Sequence, residues 1–187
     1  MQLTSFLSFM YYPVSIICSI VEIALVFFLV KKINDLDYKH AIAYLYIYSI
    51  LNGITISFLL SSIGFGISIL AFMITFVYFG LLYTIAKQSD SKFIGVGKIC
   101  VTALPILMIM YVVLLFINAP IPYYIIAIID LAVFSGLTLY DLKKIERAYD
   151  YFYGDGLENI ALLCALELYL DFINIFLDIV MLIADNN

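Results

Sequence analysis

Four polar side chains share one face of the last apolar stretch of this 187-residue chain, namely Glu167, Asp171, Asn174 and Asp178. At about 100° per residue, their offsets of 0, 4, 7 and 11 residues place them within a narrow arc of a single helix. The other positions of the stretch are mostly Leu, Ile, Phe, Val and Met. A stripe of oxygen atoms on an apolar helix could hold protons or attract a hard cation such as calcium.

Six carboxylates in total lie in or at the edge of apolar stretches: Glu22, Asp130, Asp141, Glu167, Asp171 and Asp178. A charged side chain at the centre of a membrane costs at least about 2.5 to 3.5 kcal/mol. For Glu22 and Asp130 a hydrogen-bonded contact between helices explains the acid as well as a functional role does. Asp141 and Asp178 lie near the ends of their stretches. Asp171 lies near the middle of its stretch, so it is the residue for which we most expect a function.

The composition identifies a bilayer as the solvent of this chain. Hydrophobic residues make up 66% of the sequence and charged residues only 12%, about half the charged fraction of a soluble domain. This composition excludes a nucleic-acid-binding protein. Three cysteines, all within apolar stretches, do not suggest a disulfide framework. The sequence predicts no cofactor and no dedicated metal site, and allows a weak calcium contact at Asp171.

The apolar stretches predict an all-α polytopic membrane protein with about six transmembrane helices, because stretches of about 18 apolar residues or more span a bilayer. We expect residues 1–187 to form a single membrane domain. The C-terminal helix should lie in the middle of the bundle, since its polar stripe needs neighbours. The expected spans are 10–30, 41–61, 64–86, 99–117, 122–142 and 158–184.

Basic residues indicate the orientation of the chain. All nine fall at the first, third and fifth connections of this plan: Lys31, Lys32, Lys39, Lys87, Lys92, Lys98, Lys143, Lys144 and Arg147. Lysine and arginine collect on the cytoplasmic side of a membrane. Both termini are therefore predicted to lie outside.

Two stretches near the C-terminus resemble the paired signatures of the transmembrane Bax inhibitor motif family. They are FSGLTLYDLKKIE at Phe134–Glu146 and ALELYLDFINIFLDIV at Ala165–Val180. Four earlier stretches are similar as well, at Val21–Ile33, Ser49–Ser57, Ala71–Tyr83 and Ser89–Lys98. The likeness covers nearly the whole chain and is most specific at LYLDFIN. It implies a protein of the plasma membrane of a prokaryote.

The resemblance implies a seven-helix fold in which an aspartate from each of the last two helices forms a proton-sensitive gate on a calcium leak. By motif, these aspartates are Asp141 and Asp171. The six spans here offer no counterpart of the usual first helix, which favours a homo-oligomer or a membrane-protein partner. Some family members latch the pair with an arginine, where this chain offers the point charges of Lys31 and Lys32. Glu167 and Asp178 make its polar stripe more acidic than the family pattern.

Helix lengths decide whether Asp141 and Asp171 meet. Asp141 lies near the end of the expected fifth span, while Asp171 lies about 20 Å into the sixth at 1.5 Å per residue. The depths match if the fifth helix continues past Lys144 or if the sixth begins well outside the membrane. Otherwise Glu167 or Asp178 would be the better partner of Asp171.

These observations favour a pH-sensitive cation leak pathway with calcium as the ion, in which the aspartate pair is the gate and the remaining polar residues support the path. The alternative is a non-conducting regulator that binds another membrane protein, such as a membrane protease, through lipid-facing helices. A proton-coupled transporter is a third class, for which we find no inverted repeat. We expect no enzyme, because the sequence lacks the motifs of intramembrane aspartyl proteases and of the common hydrolases.

Overall fold

In a computed structural model, the described part of the chain forms six α-helices. The structure describes residues 2–32, 35–89, 93–117, 123–151 and 157–184, and side chains are described for 17–32, 35–89, 95–110, 113, 124–147 and 158–184. The helices are α1 (Gln2–Lys32), α2 (Tyr38–Ile63), α3 (Phe65–Gln88), α4 (Phe93–Ile117), α5 (Tyr123–Tyr151) and α6 (Leu157–Ala184). The predicted all-α, six-helix fold is therefore confirmed.

Three helices differ from the predicted spans by more than three residues at one end. Helix α1 begins at Gln2 rather than Met10, and α4 begins at Phe93 rather than Ile99. Helix α5 continues to Tyr151, nine residues beyond the predicted end at Leu142. The spans were predicted from apolar runs, and charged residues such as Lys143 and Lys144 end an apolar run without ending a helix, because both have good helix propensity. Residue 122, where the fifth span was predicted to begin, lies outside the described residues.

Four helices are long and apolar enough to cross a membrane, within the part of the chain that the structure describes: Tyr38–Ile63, Phe65–Gln88, Tyr124–Arg147 and Glu158–Ala184. A shorter apolar helix covers Gly95–Met110. Large apolar side chains on these helices remain exposed, as at Phe76 (66%), Ile99 (70%) and Ile106 (67%). Such surfaces suit lipid as the surrounding solvent.

The chain divides into two compact units. The first contains Met1–Phe65 and Gly154–Leu163, and in it α1 packs against α2. The rings of Phe28 and Tyr44 meet edge to face with centroids 5.4 Å apart. Asn159 donates a hydrogen bond of 2.9 Å to the carbonyl oxygen of Leu36. The expectation of one domain over 1–187 stays a prediction.

The second unit contains Gly66–Tyr153 and Cys164–Asn187, with α4 packed against α5. From Cys164 onward, α6 contributes side chains that are almost completely buried, including Leu166, Ile175 and Val180. Phe172 of α6 lies edge to face with Phe79 of α3, at a centroid distance of 5.5 Å. From Cys164 onward, α6 is therefore packed within this unit, in contact with α3.

Two glycines allow α4 and α5 to approach closely. A Cβ atom at Gly97 would lie 2.1 Å from the ring of Tyr140, and one at Gly136 would lie 2.5 Å from the Sγ atom of Cys100. Small residues are used in this way where membrane helices pack backbone to backbone. The close approach fixes the part of α5 that precedes Asp141.

Candidate functional site

Asp141 and Asp171 lie together in the second unit. Asp141 is 9% exposed and Asp171 is 4% exposed. Their carboxyl groups are close enough to interact electrostatically. This proximity follows from the extended α5, which carries Asp141 into the interior of a 29-residue helix rather than leaving it at a helix end. We refer to Asp141 and Asp171 below as the paired aspartates.

Thr138 lies beside the paired aspartates, one turn before Asp141. Its hydroxyl is completely buried, donates a 2.8 Å hydrogen bond to the carbonyl oxygen of Phe134, and is in hydrogen-bonding range of the Asp171 carboxyl. The Oδ2 atom of Asp171 makes no hydrogen bond to the residues that the structure describes. A buried carboxyl oxygen in this state is suited to receive a proton or a cation.

A lysine–glutamate ion pair joins α5 to α6 next to the paired aspartates. The Nζ atom of Lys144 lies 2.6 Å from both carboxyl oxygens of Glu167. Both charged groups also interact electrostatically with Asp141. Glu167 therefore has a partner of opposite charge, and the ion pair places a positive charge within reach of the paired aspartates.

The sequence did not predict that Lys144 belongs to this site. The end of the apolar run put Lys144 in a connection, and the cations considered as a latch were Lys31 and Lys32. In the structure, Lys32 instead forms an exposed ion pair with Asp35 at 3.1 Å in the first unit. Two spacings in the sequence could have indicated this site. Asp141 and Lys144 are three residues apart on α5, and Glu167 and Asp171 are four residues apart on α6. Each spacing puts two charged groups on one helix face.

Asp130, Asn174 and Asp178 form a second polar group in the same unit. They line a cavity of about 280 Å³ together with side chains of α4, α5 and α6. Asp130 is 3% exposed and Asp178 is 4% exposed, and the two interact electrostatically. We call this the acidic cavity. The predicted stripe on α6 thus divides between two sites, with Glu167 and Asp171 at one and Asn174 and Asp178 at the other.

Glu22 belongs to the first unit, where its carboxylate joins α1 to α2. It accepts hydrogen bonds from Asn52 Nδ2, at 3.3 Å, and from the hydroxyl of Thr55. Glu22 is 8% exposed, as is Asn52. A buried carboxylate whose two oxygens are both bonded to a neighbouring helix is well explained as a structural contact. This is the interpretation that the sequence left open for Glu22.

The chemistry available at the paired aspartates is proton exchange. Two neighbouring buried carboxyls resist ionising together, so a single proton can be shared between them. Because one aspartate lies on α5 and the other on α6, a proton shared between them would link two helices.

The whole chain, residues 1–187, matches the family described as Inhibitor of apoptosis-promoting Bax1. An uncharacterized membrane protein of Streptococcus pyogenes serotype M1 is 30% identical over 169 residues, which cover 90% of this chain and 73% of that protein. A similar protein of serotype M6 is 31% identical over 75% of this chain and 62% of its own length. An uncharacterized protein of Deinococcus radiodurans is 32% identical over 83% of this chain and 68% of its own length.

The names of these relatives state no function, so the match to the family model is the comparison that identifies the family of this chain. It extends over both signature stretches, Phe134–Glu146 and Ala165–Val180, and therefore over both paired aspartates. The chain is an integral membrane protein and belongs to the Inhibitor of apoptosis-promoting Bax1 family.

Proposed function

We propose that this protein is a pH-sensitive leak pathway for cations, with calcium as the favoured ion, in which the paired aspartates are the gate. The observation that carries the proposal is the burial of Asp141 and Asp171 on two different helices, with their carboxyl groups close enough to interact electrostatically. Buried acids within a membrane segment mark ion or proton pathways in membrane proteins. The family is associated with calcium leak or its regulation, which agrees with this choice.

The gate would work through the proton that the two carboxyls share. With one shared proton, a short O–H···O bond ties α5 to α6 and closes the path past Asp171. Loss of that proton leaves two like charges, and gain of a second proton leaves two neutral acids. The first change replaces the short bond with repulsion and the second replaces it with a weaker neutral hydrogen bond, and either one frees α6 to shift. Calcium suits such a path, since it takes oxygen ligands and a site that binds it weakly does not trap it.

The proposal is tested by calcium flux from proteoliposomes that contain only this protein, measured across roughly pH 5 to 8. We expect wild-type flux to depend on pH, and Asp171→Asn to abolish that dependence while the protein stays folded. Asp141→Asn should do the same, because the two residues form one switch. Glu158→Gln, at an exposed position of the same α6 helix, is the matched control and should keep the wild-type profile.

Two results would contradict the gate. One is a wild-type protein that passes no calcium at any pH in this range. The other is a pair of aspartate variants that both keep the wild-type pH profile. Either result would favour a non-conducting regulator that binds another membrane protein through its lipid-facing helices.

A further inference from the structure

The acidic cavity has walls of two different kinds. Its polar groups are Asp130, Asn174 and Asp178. The rest of its described lining is hydrocarbon or thioether, from Leu104, Leu107, Met108, Phe134, Leu177 and Met181. Polar atoms at a few points of an otherwise apolar cavity are the usual construction of a small-molecule site.

The polar groups of the cavity present hydrogen-bond acceptors. Asp178 is 4% exposed, and its Oδ2 atom makes no hydrogen bond to the residues that the structure describes. The Nδ2 atom of Asn174 donates one of its two hydrogens to the carbonyl oxygen of Leu170 at 2.8 Å, and its amide oxygen is a further acceptor. A buried hydrogen-bond acceptor is satisfied by a donor, and two carboxyl groups in one cavity are best neutralised by a donor that carries a positive charge.

The apolar walls determine what kind of cation fits. A calcium ion takes six to eight oxygen ligands, and most of this cavity would surround it with carbon. An apolar cavity of about 150 Å³ holds a benzene ring, so the 280 Å³ here holds a ring with a short chain attached. We propose that the acidic cavity binds a compact organic ammonium ion, with the ammonium group at Asp178 and Asp130 and its apolar body against Leu104, Met108 and Phe134.

This site is separate from the paired aspartates and does not depend on the proposed leak activity. The residues that line it include neither Asp141 nor Asp171. Binding can therefore be measured on the purified protein whether or not the protein conducts calcium.

The test is the thermal stability of the purified full chain in detergent with three separate additions: 3-phenylpropylamine, its neutral analogue 3-phenylpropanol, and calcium chloride. We expect the amine to raise the unfolding midpoint by several degrees and the alcohol to leave it unchanged. Asp178→Asn should weaken amine binding by at least about tenfold, since it removes the charge from the bond that anchors the ligand.

A cavity-filling variant tests the site without touching its acids. Leu104→Phe should abolish the amine effect, whereas Leu70→Phe, at a position on α3 that is 52% exposed, is the matched control and should keep it. If Asp178→Asn does not fold into a monodisperse species, the comparison of Leu104→Phe with Leu70→Phe still tests the proposal.

Three outcomes would overturn the proposal. Equal shifts with the amine and the alcohol would mean that the probe acts through the micelle. An amine shift that survives both Asp178→Asn and Leu104→Phe would mean that the amine binds elsewhere. A calcium shift that is lost in Asp178→Asn, with no shift from the amine, would make the cavity a metal site.

Discussion

The ion pair between Lys144 and Glu167 makes an additional acid tolerable beside two buried aspartates. Lys144 is 38% exposed and Glu167 is 23% exposed in the side chain, so the pair is only partly shielded from solvent. Without Lys144, three carboxyl groups would face one another on α5 and α6. The lysine therefore offsets part of the negative charge around Asp141.

This role predicts a specific pattern of stability in single and double variants. Lys144→Met should lower the free energy of unfolding by about 1 to 2 kcal/mol, because it leaves Glu167 without its cation at a half-buried position. Glu167→Gln should do the same by a smaller amount. The double variant should recover part of the loss, since a neutral pair needs no compensation.

The measurement is unfolding of the four proteins in detergent, followed by far-UV circular dichroism. Lys143→Met, combined with Glu146→Gln in a parallel cycle, is the control, since that pair spans one turn of α5 at 2.7 Å and does not connect two helices. Strictly additive losses at Lys144 and Glu167 would show that the two side chains are not coupled.

The sequence was more informative about which acids are buried than about which side chains meet. The cost of acids in a membrane drew attention to Asp171, the resemblance to the Bax inhibitor motif family added Asp141, and both are buried. The partner of Glu167 was not predictable, because a contact between helices depends on how each helix is rotated and where it ends. The same limit applies to Glu22, whose partners Asn52 and Thr55 lie 30 and 33 residues away in the chain.

Among the elements, α5 has the largest effect on the site. The apolar run of α5 ends at Leu142, but the helix itself continues through LKKIERAYDY to Tyr151. That continuation is one of the two conditions under which the depths of Asp141 and Asp171 match. The length of a helix in a membrane protein is therefore not the length of its apolar run, since a helix needs backbone hydrogen bonds and not apolar side chains.

The packing of α4 on α5 predicts opposite effects for two glycines of one helix. Gly97→Ala should lower the free energy of unfolding by about 1 to 3 kcal/mol, because the added methyl group meets the Tyr140 ring at its stem, where the side chain cannot easily move aside. Gly95→Ala, with nothing within 4 Å of its Cβ position, should be neutral or stabilising by up to about 1 kcal/mol.

Thermal unfolding of both glycine variants measures the contrast, and the Gly95 variant is the built-in control. Calcium flux on the same proteins would show whether loosening α4 from α5 also disturbs Asp141, which lies one residue after Tyr140. Equal stability of the two variants would mean that the close approach at Gly97 is not present in the folded protein.

For the molecule as a whole, the distribution of charge predicts orientation in the membrane. The structure moves Lys143, Lys144 and Arg147 from a connection onto α5, and it places Lys31, Lys32 and Lys87 in the last turns of α1 and α3. The described basic residues therefore remain near the ends of helices that meet the first, third and fifth connections. The positive-inside rule counts residues within about 15 to 20 positions of a span, so the longer helices leave the prediction unchanged.

Orientation is tested by labelling single cysteines in a background in which Cys18, Cys100 and Cys164, all free thiols, are replaced by serine or alanine. With the basic connections in the cytoplasm, a cysteine between 87 and 98 or between 143 and 157 should resist a membrane-impermeant maleimide applied to intact cells. A cysteine placed after Asp185 should react with it, and all of the cysteines should react once the cells are opened. If external reagent labels the connection between α5 and α6, the positive charges face outward and the predicted orientation is wrong.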